Sequence, residues 1–119
     1  NLIVRLLNDR FGIQVRGGWS CASTYAHYLF DINKEESVAI SNGIHQKNLS
    51  NKPGWVRLSL HPTMTNEELL FVCDAIQNVT HNIKEWQKNY QYNPITNEFE
   101  NLIIKETIAD DVKEWFCLT

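Results

Sequence analysis

The amino-acid sequence predicts an α+β fold, in which a small antiparallel or mixed sheet packs against helices. Apolar residues recur at helical spacing in some segments and alternate with polar residues in others. The chain has 119 residues, 43% of them hydrophobic, which is enough to bury one core. Since no linker, repeat or low-complexity tract interrupts it, we expect residues 1–119 to form a single domain.

The first half of the chain combines both periodicities. Apolar residues first recur at helical spacing and then alternate with polar residues up to a pair of glycines. Helical spacing resumes after the glycines, and a second alternating segment follows a Pro-Gly turn. One segment suits either a helix or a short strand, and we favour the helix. The predicted elements are helix 2–9, strand 11–16, helix 22–32, the ambiguous helix 35–48, loop 48–54 and strand 55–60.

The second half contains the clearest helix signal. Thr65 and Glu68 have the spacing of a capping box, and an apolar face then continues as far as Tyr90. A tight turn at 94–97 and a last helix over 107–116 complete the prediction. Two strands alone make a marginal sheet, so we expect further strands from another chain or from a missing segment.

The charge balance limits the classes of partner. A formal net charge of −3 and a pI near 5.8 are not typical of a nucleic-acid-binding domain. The sequence has no long uninterrupted apolar run, so we expect no membrane-spanning segment. The chain begins with Asn1 and shows no charged and apolar leader, which suggests a processed protein or a segment of a longer one.

Three cysteines without a CxxC pair argue against a disulfide scaffold or a closed zinc site. We therefore expect free thiols in a reducing cytoplasm, with Cys73 and Cys117 in structural positions. Cys21 follows a glycine pair that permits positive φ, and a helix is predicted to begin close to it. Its thiol belongs either to an ordinary strand-to-helix turn or to a reactive site at a helix start.

A candidate anion-binding residue, Arg57, lies in the middle of the second predicted strand. It shares a strand face with Trp55 and Ser59, opposite the apolar row. Such an arginine either lies on a solvated surface or binds a carboxylate through two hydrogen bonds. The histidines lack the spacing of metal ligands and no acidic cluster accompanies them, so the sequence predicts no metal site.

Two long motifs resemble the C-terminal region of class V aminotransferases. They are LNDRFGIQVRGGWSCASTYAHYL at 7–29 and NLSNKPGWVRLSLHPTMTNEEL at 48–69. The branch that contains cysteine desulfurases and selenocysteine lyases is the most similar, and the resemblance continues loosely over 90–105. Trp19 departs from it, because Cys or His is expected at that position.

The resemblance implies a fold type I enzyme that depends on pyridoxal phosphate, of which this chain is part of the small C-terminal domain. The arginine that binds the substrate carboxylate corresponds to Arg57. The catalytic cysteine, in a loop of the form RxGxxCA, corresponds to Cys21, and its thiolate attacks the sulfur of a cysteine–cofactor adduct to leave a persulfide. The implied substrate is a small amino acid, and desulfuration, transamination and epimerisation all stay open.

The resemblance also implies a partner. The Schiff-base lysine and the other cofactor-binding groups belong to the large N-terminal domain of such enzymes, and no lysine of this chain has a matching context. The isolated chain is therefore expected to be inactive, and to act with that domain in a cytoplasmic homodimer. The alternatives are a free-standing, non-catalytic interaction or dimerisation module derived from the domain, and a relay in which Cys21 carries persulfide sulfur.

Overall fold

The computed structural model describes residues 1–103 and Trp115. Its helices are α1 (Leu2–Phe11), α2 (Ser23–Leu29), α3 (Lys34–His45) and α4 (Asn66–Trp86), and its strands are β1 (Arg16–Gly18), β2 (Trp55–Arg57), β3 (Tyr90–Asn93) and β4 (Glu98–Asn101). β1 pairs with β2 and β3 pairs with β4, in two antiparallel ribbons. This mixture of helices and small antiparallel sheets is compatible with the predicted α+β class. The helix predicted over residues 107–116 and Cys117 lie outside the described residues, apart from Trp115.

The core lies where α1 packs against α4 and the β3–β4 hairpin. Leu6 and Leu7 of α1 are fully buried, and they contact Ala75 and Val79 of α4 and Tyr90 at the start of β3. Partly buried apolar side chains surround this cluster: Leu2, Phe11, Ile13, Val15, Ile83, Trp86 and Phe99. Removal of this apolar surface from water therefore fixes α1, α4 and the hairpin relative to one another.

A polar network at the edge of the core joins α1 to the hairpin. The Tyr90 hydroxyl donates to Asp9 Oδ2 at 2.9 Å, and Arg5 Nε lies 3.2 Å from the same oxygen. Burial raises the pKa of Asp9, but hydrogen bonds from Asn8 and Tyr90 and the charge of Arg5 outweigh it and hold that pKa below its usual value. Burial, together with the hydrogen bond to Asp9, raises the pKa of Tyr90.

Capping boxes begin two of the helices. The Thr65 hydroxyl accepts from the Glu68 N–H at 3.2 Å, and the Glu68 carboxylate accepts from the Thr65 N–H at 2.8 Å, so the predicted start of α4 is confirmed. Asn33 and Glu36 make the same pair of bonds at the start of α3. These bonds satisfy backbone N–H groups that have no partner inside a helix.

The first predicted strand, 11–16, is wrong in position. Phe11 is the last residue of α1, because Gly12 adopts the left-handed conformation (φ 66°) and ends the helix. Ile13 and Val15 nevertheless pack against the core, although they precede β1. Their alternation with polar residues therefore reflects burial of one side of an extended segment and not pairing in a sheet.

Three other expectations are corrected. The second predicted strand, 55–60, is limited to β2. Tyr90 does not extend the face of α4, because a short 3-10 helix, Gln87–Asn89, follows α4 and Tyr90 then opens β3. Cys73 is exposed and is not a core residue.

In the described part of the chain, no helix is both long enough and apolar enough to cross a membrane.

Candidate functional site

The β1–β2 ribbon brings the two sequence motifs together. Arg16 is opposite Arg57, Gly17 is opposite Val56, and Gly18 is opposite Trp55. The ribbon continues tightly beyond its last pair, since a Cβ atom added to Gly54 would lie 3.2 Å from the Cα of Gly18. The glycines therefore allow two backbones to approach more closely than residues with side chains could.

Arg57, the predicted carboxylate-binding residue, lies at one end of this ribbon. It is exposed and directly opposite Arg16, which is also exposed. Like charges at opposite positions of an antiparallel pair repel each other, and neither guanidinium has an ion-pair partner among residues 1–103. An anion bound between the two would offset this repulsion, and a guanidinium can bind a carboxylate bidentately.

Arg16 is the functional candidate that the sequence did not single out. Only the antiparallel register of β1 and β2 places it beside Arg57, and each strand is three residues long. The signal available in the sequence was the expectation that two short strands need partners. Pairing them with each other in antiparallel sense would have identified the two arginines as neighbours.

Cys21, the predicted catalytic thiol, lies in a turn at the other end of the ribbon. The turn follows Gly18 and closes with a hydrogen bond from the Ala22 N–H to the Trp19 carbonyl at 2.8 Å. Ser20 (φ 48°) and Cys21 (φ 62°) are both left-handed, which costs about 1–2 kcal/mol for each residue with a Cβ. The Cys21 side chain is exposed, so this strained turn presents a free thiol to solvent.

Trp19 lies between the turn and the 48–54 loop. Its Nε1 donates to the Pro53 carbonyl at 2.6 Å, and the Lys52 ammonium lies 4.4 Å from its ring centroid. The His27 ring meets it edge-on, with centroids 5.4 Å apart. Trp55 of β2 contacts two further rings, those of Tyr25 and Phe30 in the α2 segment.

His27 uses both of its ring nitrogens in structural contacts. Nδ1 lies 2.7 Å from the Ser23 carbonyl oxygen, so it donates, and Nε2 lies 2.8 Å from the Ser37 hydroxyl, which donates to it in the neutral ring. The imidazole thus connects α2 with α3. Within the described residues no group of three histidine, cysteine or acidic side chains could hold a metal ion.

The two predicted site residues share one ribbon but lie at different ends of it. Arg57 is two register positions from the Gly18–Trp55 pair that leads into the Cys21 turn. That distance is roughly 7 Å along a strand, about the length of an extended arginine side chain. Two exposed guanidinium groups therefore lie at one end of the ribbon, and an exposed thiol lies beyond the other end.

The two motifs contain one lysine, Lys52. Its ammonium packs on the Trp19 ring. A cleft of about 600 Å³ lies between α3 and the 48–53 segment, and its lining includes Lys52 and Pro53 but neither Cys21 nor Arg57.

Comparison with known proteins identifies no relative of this chain, so the interpretation of the site depends on its geometry. No protein-family model, no curated protein and no solved structure matches this chain.

Proposed function

We propose that this chain is the C-terminal segment of an enzyme similar to class V aminotransferases, of the cysteine desulfurase and selenocysteine lyase type, that acts on a small amino acid. The antiparallel pairing of β1 with β2 is the observation that supports the proposal best. It places the RGGWSC and KPGWVR segments side by side, as parts of one site must be. In this reading the fold is part of the small domain of a fold type I enzyme.

Arg57 has the role of binding the substrate carboxylate. Its guanidinium is exposed on a short ribbon and has Arg16 opposite, so a carboxylate there meets two positive charges instead of one. Cys21 has the role of the nucleophilic thiol. Its exposure and the left-handed turn that carries it are typical of a residue held in place for a reaction and not for packing.

The carboxylate role can be tested in the longer enzyme by replacing Arg57→Ala. We expect weaker substrate capture, by about 2–4 kcal/mol in kcat/KM, because a charge-assisted bidentate contact is lost. Arg10→Ala is the control, since Arg10 is also exposed but its guanidinium lies over the Trp86 ring at the edge of the core and not in the ribbon. Equal effects of the two substitutions would contradict the role of Arg57.

The thiol role can be tested in the 119-residue chain by the rate of alkylation with iodoacetamide, resolved by peptide mass spectrometry. Cys73 is an internal reference because it is also exposed but lies on α4. We expect Cys21 to react faster, since a site nucleophile is activated by its surroundings. Equally slow reaction at both thiols would argue against a catalytic or sulfur-carrying Cys21.

The cofactor belongs, in this proposal, to the N-terminal domain of the longer enzyme. Pyridoxal phosphate bound there supplies the electron sink for amino-acid chemistry, and this chain supplies the groups that bind the substrate and present the thiol. Mixing the isolated chain with pyridoxal phosphate should give no stoichiometric aldimine absorbance, whereas the longer enzyme should give one. A strong aldimine band from the isolated chain would contradict the proposal.

A non-catalytic interaction module is the second candidate, and the exposed apolar side chains of α4 favour it. Leu70 and Phe71 are more than half exposed, and Leu69 and Ile76 are exposed beside them. In the enzyme this surface would be covered by the N-terminal domain or by a homodimer partner, and in a module by a partner protein. Turnover and sedimentation, both measured for the longer protein and its Arg57→Ala variant, separate the two roles. Loss of turnover in Arg57→Ala supports the enzyme, whereas assembly with no turnover that depends on Arg57 supports the module.

A further inference from the structure

We propose that Trp19 is the positioning residue that holds the Ser20–Cys21 turn in its left-handed conformation by tying it to the end of the 48–54 loop. The inference rests on the proposed function, because it assigns the residue that presents the Cys21 thiol. Trp19 is also the position at which this chain departs from the family that it resembles. The bulky indole supplies contacts that a cysteine at this position would not make.

The turn has little of its own to hold it. Ser20 and Cys21 occupy a backbone conformation that residues with a Cβ keep only when their surroundings impose it. The Ser20 hydroxyl is buried but has no hydrogen-bond partner in the part of the chain that the structure describes. The closing bond of the turn, from the Ala22 N–H to the Trp19 carbonyl, itself depends on where Trp19 is held.

Trp19 is held from outside the turn on three sides. The Pro53 carbonyl accepts from the indole N–H at 2.6 Å, the Lys52 ammonium lies over one face, and the His27 ring meets the indole edge-on. The hydrogen bond joins residues 34 positions apart in the sequence. Together the contacts connect the turn to the 48–54 loop and to α2.

The anchor itself is fixed relative to β1. Pro53 directly precedes Gly54, whose backbone approaches Gly18 so closely that an added Cβ would lie 3.2 Å from the Gly18 Cα. Proline has a fixed φ, so the carbonyl that accepts the indole N–H is attached to a stiff segment. The indole therefore connects a strained turn to a segment that packs closely against β1.

The test is amide hydrogen exchange at Ala22, measured by NMR in the 119-residue chain. In Trp19→Ala we expect exchange at Ala22 to become about tenfold faster, while the Leu6 and Leu7 amides of the core keep their rates. Adding Ser20→Gly should return Ala22 to within about threefold of the original rate, because glycine adopts positive φ without strain. Such a rescue would not follow if Trp19 only stabilised the fold in general.

Lys47→Gly is the matched control. Lys47 also has positive φ, at 54°, but it lies after α3 and outside the turn, so Trp19→Ala combined with Lys47→Gly should exchange as fast as Trp19→Ala alone. If Trp19→Ala does not fold, Trp19→Phe removes the N–H donor but keeps an aromatic ring, and it should raise the Ala22 rate about threefold. Unchanged exchange in the folded variant, or equal rescue by both glycines, would overturn the inference.

The outcome is separable from that of the proposed function. Exchange at Ala22 reports on the turn alone, whereas alkylation of Cys21 against Cys73 reports on the thiol. If exchange at Ala22 behaves as expected and Cys21 is as unreactive as Cys73, the catalytic role of Cys21 is contradicted. The positioning role of Trp19 is then still supported. If instead Cys21 reacts faster than Cys73 but exchange at Ala22 is unchanged in Trp19→Ala, the proposed function stands and only the role of Trp19 is contradicted.

Discussion

Two regions of this molecule are stabilised in different ways. The core region, which consists of α1, α4 and the β3–β4 hairpin, contains six of the seven buried apolar residues found among those the structure describes. The ribbon region, which consists of β1, β2, the 19–21 turn, α2, α3 and the 48–54 loop, contains only the seventh, Ala26. Hydrogen bonds, ring contacts and close glycine packing hold the ribbon region instead.

The difference places the candidate chemistry in the region with the smaller apolar contribution to stability. Local opening costs less where few apolar contacts are lost, so the ribbon region should open before the core region does. Residues that bind and react are often found in such segments, supported by a more rigid part of the molecule. The core region then acts as the support, and four substitutions, each paired with a control, test this division.

The largest effect is expected from Leu6→Ala in the core region. Leu6 is fully buried against Ala75 and Val79, so its truncation leaves a cavity and should lower the free energy of unfolding by about 2–5 kcal/mol. The counterpart in the ribbon region is Ala26→Gly, which is expected to cost only about 1 kcal/mol. Urea denaturation measures the free energy of unfolding of both variants, and equal losses would contradict the difference between the two regions.

A smaller effect, and a dependence on pH, are expected from Tyr90→Phe. This change removes the hydrogen bond to the Asp9 carboxylate and should lower the free energy of unfolding at pH 7 by about 1.5–3 kcal/mol. Because the pKa of Asp9 is lower in the folded than in the unfolded chain, its contribution is present above the unfolded value, about 3.9, and is lost as the pH falls through the folded value.

Tyr92→Phe is the control for this pH dependence. The Tyr92 hydroxyl donates to the neutral side chain of Asn97, so its loss should have the same cost at pH 7 and at pH 3. Denaturation series at the two pH values provide the comparison. If Tyr90→Phe lowers the free energy of unfolding as much at pH 3 as at pH 7, the hydrogen bond from Tyr90 does not lower the pKa of Asp9.

Thr65→Ala tests the start of the helix that serves the core region. It removes the side-chain acceptor of the capping box and should lower the free energy of unfolding by about 1 kcal/mol. Thr80→Ala is its control, since the Thr80 hydroxyl donates to a carbonyl within the same helix and caps nothing. Thermal unfolding compares the two, and a larger loss from Thr80→Ala would contradict the role of the cap.

The smallest global effect is expected from Gly54→Ala in the ribbon region. The new Cβ would lie 3.2 Å from the Gly18 Cα, so the two backbones must separate by a few tenths of an ångström. We expect less than about 1 kcal/mol in global unfolding but faster amide exchange in β1 and β2. Val56→Ala, in the adjacent strand β2, should leave that exchange unchanged, and slower exchange in Gly54→Ala would contradict the close packing.

Local signals in the sequence predict most of the core region. The capping box of Thr65 and Glu68 fixes the start of α4 because its partners are three residues apart, and the turn at 94–97 joins the two strands of a hairpin. A local pattern also misled in one place, where the alternation of Ile13 and Val15 indicated a strand. One-sided burial of an extended segment produces the same alternation as strand pairing.

The contacts of the candidate site could not be predicted, because they join residues far apart in the sequence. Nothing near Trp19 indicates that its N–H will meet the carbonyl of Pro53, 34 positions later. The facing of Arg16 and Arg57 depends likewise on a register that two strands of three residues do not specify by themselves. The roles of Cys21 and Arg57 stay predictions that the experiments above address.

The uneven use of α4 has a consequence for how the isolated chain behaves in concentrated solution. Near its capped start Leu69, Leu70 and Phe71 are in contact with water, whereas Val72, Ala75 and Val79 are buried. Salts that are excluded from protein surfaces increase the tendency of such side chains to cluster. Sulfate should therefore precipitate the chain at a lower concentration than chloride does, and Phe71→Ser should raise that threshold without reducing the helix content.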